Sequence, residues 1–92
     1  MTLDELNVSP RYDYFKSFIR KQVASWPFTP AQFVWLHQEE DDHDEYYKLR
    51  GLSKHWCIEN CEGEFAIVAT TIIVGFQLAS DAIKFKFASS AW

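Results

Sequence analysis

Glu39, Glu40, Asp41, Asp42, Asp44 and Glu45 put six carboxylates into seven consecutive positions, interrupted only by His43, and no lysine or arginine follows before Lys48. Such a run attracts cations and repels itself. Like charges at helical neighbour spacing destabilise a helix, so the run costs folding free energy that a neutral loop would not. A helix presents successive charges about every 1.5 Å along its axis, and an extended chain about every 3.3 Å. Duplex DNA carries about one charge per 1.7 Å of axis, or one per 3.4 Å along each strand. Either conformation therefore approximates phosphate density, and the run can occupy a DNA-binding groove on another protein. Glu59, Glu62 and Glu64 extend the negative face if the fold gathers them. The plain alternative is a solvated acidic loop. A calcium loop is excluded by spacing, because Tyr46 and Tyr47 stand where an EF-hand needs an acid and a glycine.

His55, Cys57 and Cys61 resemble part of a zinc ligand set, with three residues between the cysteines. There is no second cysteine pair, and a fourth ligand would have to be His37 or His43. Buried, inert cysteines are the expectation. A strand would put His55 and Cys57 on one face, as nucleophilic catalysis would need, but no orienting acid or oxyanion loop accompanies them. Three scattered glycines offer no phosphate-cradling loop. No cofactor, no metal and no enzymatic activity are expected.

The chain must position these groups with 92 residues, enough for one domain spanning 1–92. Four Trp, four Tyr and eight Phe can bury a core and rule out a disordered acidic tail. Nine Lys and Arg against thirteen Asp and Glu give a net charge of -4, so direct nucleic-acid binding is not expected. The acidic start Met1-Thr2-Leu3-Asp4-Glu5 is no secretory signal. The longest near-apolar stretch, Phe65 to Phe76, is twelve residues, short of the roughly 20 that a membrane helix needs. These features, with only two cysteines, point to a cytoplasmic protein without membrane contact.

Ser9-Pro10 reads as a helix start, and Phe15, Phe18, Ile19 and Val23 recur at helical spacing. The spacing predicts a helix over about 10–25, ended by Pro27. Thr29-Pro30-Ala31-Gln32 repeats the device and predicts a helix over about 30–38, with a strand through Phe33–His37 as its rival. Tyr46, Tyr47 and Leu49 suggest a short helix ending at Gly51. His55 to Ile58 suggests a short strand. Asn60 to Gly63 carries turn chemistry. Glu64 to Leu78 is the richest strand region, long for one strand, with a possible bulge at Gly75. Ser80-Asp81 can cap a helical turn over Ala82 and Ile83. Phe85 and Phe87 then alternate with Lys84 and Lys86 as an edge strand would. The result is a small α+β domain, about two helices packed on one face of an antiparallel sheet. Trp26, Phe28, Phe33, Trp35, Tyr46, Tyr47 and Trp56 are expected to be core for the most part. Some aromatics, Trp92 among them, are candidates for a homodimer interface.

The length, the aromatic α+β pattern, the Glu39–Glu45 run and the Phe85-Lys86-Phe87 ending resemble the Arn anti-restriction nuclease proteins of T-even bacteriophages. The resemblance covers the whole chain. It implies a dimeric DNA mimic that occupies the DNA site of a host methylcytosine-dependent restriction endonuclease, and that displaces a histone-like nucleoid protein from DNA. A net charge of -4 is mild for a DNA mimic. Lys and Arg must then lie off the binding face, or the mimicry is local. The second expectation is a protein-interaction adaptor that binds through Trp35, Tyr46 or Tyr47, with the acidic run a solvated loop.

Overall fold

The computed structural model describes residues 13–36, 43–68 and 72–92. The order is α1 (Asp13–Ala24), β1 (Gln32–Trp35), α2 (His43–Asn60), β2 (Phe65–Ile67), β3 (Ile73–Phe76) and α3 (Ala79–Ser89). The three strands form one antiparallel sheet in the order β1-β3-β2. The α+β class expected from the sequence is what the chain adopts.

The central strand β3 is buried along its whole length, and its two faces serve different layers. Ile73 joins Ile19, Phe33 and Val68 in one core cluster, on which Phe18, Val23 and Trp26 pack. Val74 and Phe76 join Cys57, Ala82 and Phe85 in the other. Side chains alternate across a strand, so α1 covers one face while α2 and α3 cover the other. Among the described residues the helices are therefore three and lie on both faces, not on one.

Gly75 sits opposite Phe33 on β1 and Ala66 on β2 in regular register, so the expected bulge is absent. The glycine has a packing reason instead. A Cβ at this position would collide with the Trp26 ring and come within 3.0 Å of Phe33 Cε1. Trp26 lies two residues beyond the end of α1, its N–H bonded to the Val23 carbonyl at 3.1 Å. Its ring stacks on Phe28 at a centroid distance of 5.5 Å. Pro27 then stops the helix, as expected.

Four expected elements are corrected. The stretch 32–35 is a strand rather than part of a helix over 30–38. The capping signals at Thr29 to Gln32 lose because Phe33 and Val34 each find a covered face when extended across β3. The short helix ending at Gly51 and the strand at His55–Ile58 are one helix, α2, of 18 residues. Leu49, Ser53 and Cys57 are buried at four-residue spacing while Gly51 and His55, which would share their face in a strand, are exposed, a helical pattern that no strand gives. The region from Glu64 to Leu78, expected to be rich in strand and long for one, resolves into two strands, β2 and β3, paired as antiparallel neighbours. The expected edge strand at Phe85 and Phe87 is part of α3. Phe85 is fully buried and Phe87 is 77% exposed, because two residues on a helix lie far apart around its axis.

Two glycines give opposite expectations in urea denaturation. Gly75→Ala should lower stability by about 1–3 kcal/mol, since the Trp26 ring has to move. Gly51 lies mid-helix with nothing within 4 Å of an added Cβ, so Gly51→Ala should raise stability by roughly 0.5–1 kcal/mol.

Candidate functional site

The acidic run leads into the N-terminus of α2. Glu39, Glu40, Asp41 and Asp42 lie outside the described residues. Asp44 and Glu45 stand in the first turn of α2, Asp44 exposed and Glu45 half-buried. Carboxylates there meet the positive end of the helix dipole, worth roughly 0.3–1 kcal/mol each. The self-repulsion that argues against a helix through the run is thus partly offset at its last two acids.

Glu59 lies in the last turn of the same helix. It stands fifteen positions after Asp44, or roughly 22 Å at the helical rise. Glu62 and Glu64 follow in the connection to β2, both exposed. The described phosphate mimics thus fall into two groups, Asp44 and Glu45 at the start of α2 and Glu59, Glu62 and Glu64 at or beyond its end. At helical spacing Asp44, Lys48, His55 and Glu59 share one outer stripe, so the stripe mixes signs. His55 Nε2 is 3.3 Å from Glu59 Oε1, an ion pair when the imidazole is protonated. Glu62 Oε1 is 3.6 Å from Lys84 Nζ on α3. These pairs are exposed and contribute little to stability. Arg50 is turned away from the stripe, its Nη1 donating to the Val68 carbonyl at 3.1 Å.

A third carboxylate behaves differently. Asp81 is fully buried on the first turn of α3. The Gly63 N–H donates to Asp81 Oδ2 at 2.9 Å, and the Glu62 N–H lies 3.2 and 3.1 Å from Oδ1 and Oδ2. The expected role was to cap its own helix. Instead the N-cap position is Leu78, which makes no side-chain cap bond, and the carboxylate clamps the turn that leaves α2. The sequence signal for this clamp was the turn chemistry at Asn60 to Gly63, which needs an acceptor for its N–H groups.

The cysteines and His55 do not converge. His55 points to solvent and Cys57 into the core, because α2 is a helix where a strand was expected. Among the described residues no cluster of three His, Cys, Asp or Glu can hold a metal ion. Cys57 and Cys61 stay together, one turn apart, with Cys61 packed on the core cluster that holds Cys57. Burial pushes both thiols above their ordinary pKa, Cys57 far more than Cys61.

The aromatics expected to be core are partly so. Trp56 packs on Phe85 at 5.4 Å between ring centroids, and Phe33 is buried. Trp92 lies 5.6 Å from Phe85, nearly perpendicular to it, and covers the end of that core. Tyr47 and Trp35 are exposed. A groove of about 470 Å³ runs between β1 and α3, lined by Phe33, Trp35, Ile83 and Lys86 among others. No helix among the described residues is long and apolar enough to cross a membrane. The chain matches no known protein family, no curated protein and no solved structure.

Asp81→Asn should lower stability by roughly 1–3 kcal/mol, because the amide turns a donor toward N–H groups that need an acceptor. Thermal unfolding followed by circular dichroism measures it. An unchanged midpoint would mean that the turn at Glu62 and Gly63 holds without the carboxylate.

Proposed function

We propose that the protein is a non-enzymatic inhibitor that mimics DNA and occupies the DNA-binding site of a host protein, a restriction endonuclease or a histone-like nucleoid protein. The observation that carries this reading is the acid density from Glu39 to Glu45, interrupted only by His43, which runs into the start of α2 with no lysine or arginine before Lys48. Its carboxylates stand in for phosphates and pair with Lys and Arg on the target. Close pairs that lose their water can each contribute a few kcal/mol, and rim pairs little. The mimicry is local. Lys48 ends the acidic surface at the second turn of α2, so Glu59, Glu62 and Glu64 form a separate, weaker patch. Local mimicry also fits a net charge of only -4. The protein acts as a homodimer, in which exposed Trp35, Ile83 and Phe87 supply apolar area.

One observation favours a second reading. Trp35 and Ile83 are exposed beside the groove between β1 and α3, and Tyr47 stands exposed against Tyr46 at a ring-centroid distance of 5.2 Å. An adaptor that binds a partner through these aromatics would hold it by apolar contact, nearly independent of salt.

The two readings separate in a pull-down from a bacterial lysate washed at low and at high salt. Exposed charge pairs are screened within about 8 Å at physiological ionic strength. DNA mimicry expects DNA-binding proteins to be retained at low salt and released at high salt. It also expects them to be lost when Glu39, Glu40, Asp41, Asp42, Asp44 and Glu45 are reversed to Lys in a variant whose circular dichroism is unchanged. Partners that survive high salt and ignore the reversal would overturn it and support the adaptor.

A further inference from the structure

We propose that Cys57 and Cys61 form a dithiol-capture site that takes a trivalent organoarsenical, or another thiophilic electrophile that bonds two sulfurs at once. The inference is independent of the DNA-mimic reading.

Three observations carry it. The first is spacing. The Cys61 N–H donates to the Cys57 carbonyl at 3.0 Å, so Cys61 continues the helical path one turn beyond Cys57. Residues four apart on a helix have Cβ atoms about 5–6 Å apart. A disulfide needs about 3.5–4.5 Å, so a direct S–S bond would have to unwind the last turn of α2. A bridging atom adds a second bond to the link and suits the native spacing. The second is proximity: Cys61 packs against the core cluster to which Cys57 belongs.

The third is access. A groove of about 450 Å³ reaches both cysteines between walls that include Pro27, Phe28, Ile58 and Phe65. Cys61 is half-buried at this groove and Cys57 lies behind it. The apolar walls match an aryl group on the electrophile. The arsenic bonds first to Cys61, and Cys57 then closes the ring.

The reaction balances without an oxidant. The As=O bond breaks and two As–S bonds form. Both thiol protons leave with the oxygen as one water, and arsenic remains trivalent. Burial keeps both thiols protonated near neutral pH. A reagent that alkylates one thiolate, such as iodoacetamide, is therefore slow here, whereas the condensation is drawn forward by closure of the second As–S bond and release of water.

The test titrates the folded protein with phenylarsine oxide and counts bound arsenic by intact mass and remaining thiols with a maleimide. The expected result is one arsenical per chain, loss of both thiols, release by ethanedithiol but not by an equal concentration of a monothiol, and slow reaction with iodoacetamide. Cys61→Ser and Cys57→Ser should each bind at least ~100-fold more weakly, because the second bond no longer forms intramolecularly. Binding by either folded serine variant within a few-fold of the wild type overturns the proposal. So does a bound arsenical that leaves one thiol free, or uptake that needs denaturant. The wild-type stoichiometry decides the matter even if Cys57→Ser does not fold.

Discussion

Burial of β3 on both faces is the constraint on which the other elements depend. A four-residue strand with Ile73 and Gly75 toward α1, and Val74 and Phe76 toward α2 and α3, needs a layer on each side and a strand on each edge. Each fully buried Val, Ile or Phe contributes roughly 1.5–3 kcal/mol, so leaving either face bare would be costly for a domain this small. Gly75 is the narrow point. Its missing side chain makes room for Trp26, which in turn holds the end of α1 against Phe33.

The opposite layer is joined by polar contacts as well as apolar ones. Asp81 ties the start of α3 to the turn after α2, and Cys57, Phe76 and Phe85 pack beneath that junction. A buried carboxylate is tolerable only with donors aimed at it, and the Glu62 and Gly63 N–H groups are such donors. The same junction brings Cys61 over Cys57 and opens the groove beside Phe65. The dithiol geometry is thus a by-product of how α2 ends.

Charge is arranged by the same helix. α2 carries Asp44 and Glu45 at its favourable end and Glu59 at the end where the dipole disfavours an anion. His55 beside Glu59 softens that cost when protonated. The result is an acidic N-terminal end, a mixed outer stripe and a second acidic patch near Glu62 that Lys84 partly neutralises. Under the proposed reading, such a surface recognises a basic groove locally and does not imitate a long duplex.

The sequence by itself determined the α+β class, α1 with its Pro27 stop, and the strand content around Phe65 to Phe76. Each of these rests on apolar spacing or on a residue that removes a backbone donor, and both act locally. It also determined the density of acids from Glu39 to Glu45. Tertiary structure alone decided the rest. Phe33, Val34 and Trp35 became a strand because β3 offered an edge, which outweighed a capping signal. Lys84-Phe85-Lys86-Phe87 alternates like a strand yet is helical, because only Phe85 finds the core. The stripe of Leu49, Ser53 and Cys57 was hidden because one of its members is a serine, whose hydroxyl donates to the Leu49 carbonyl at 2.7 Å. Asp81 could be seen as a helix-start residue, but its true partners lie 18 and 19 residues away, and no local rule reaches that far. Local propensities are worth tenths of a kcal/mol per residue, whereas a buried face or a satisfied buried charge is worth several times more.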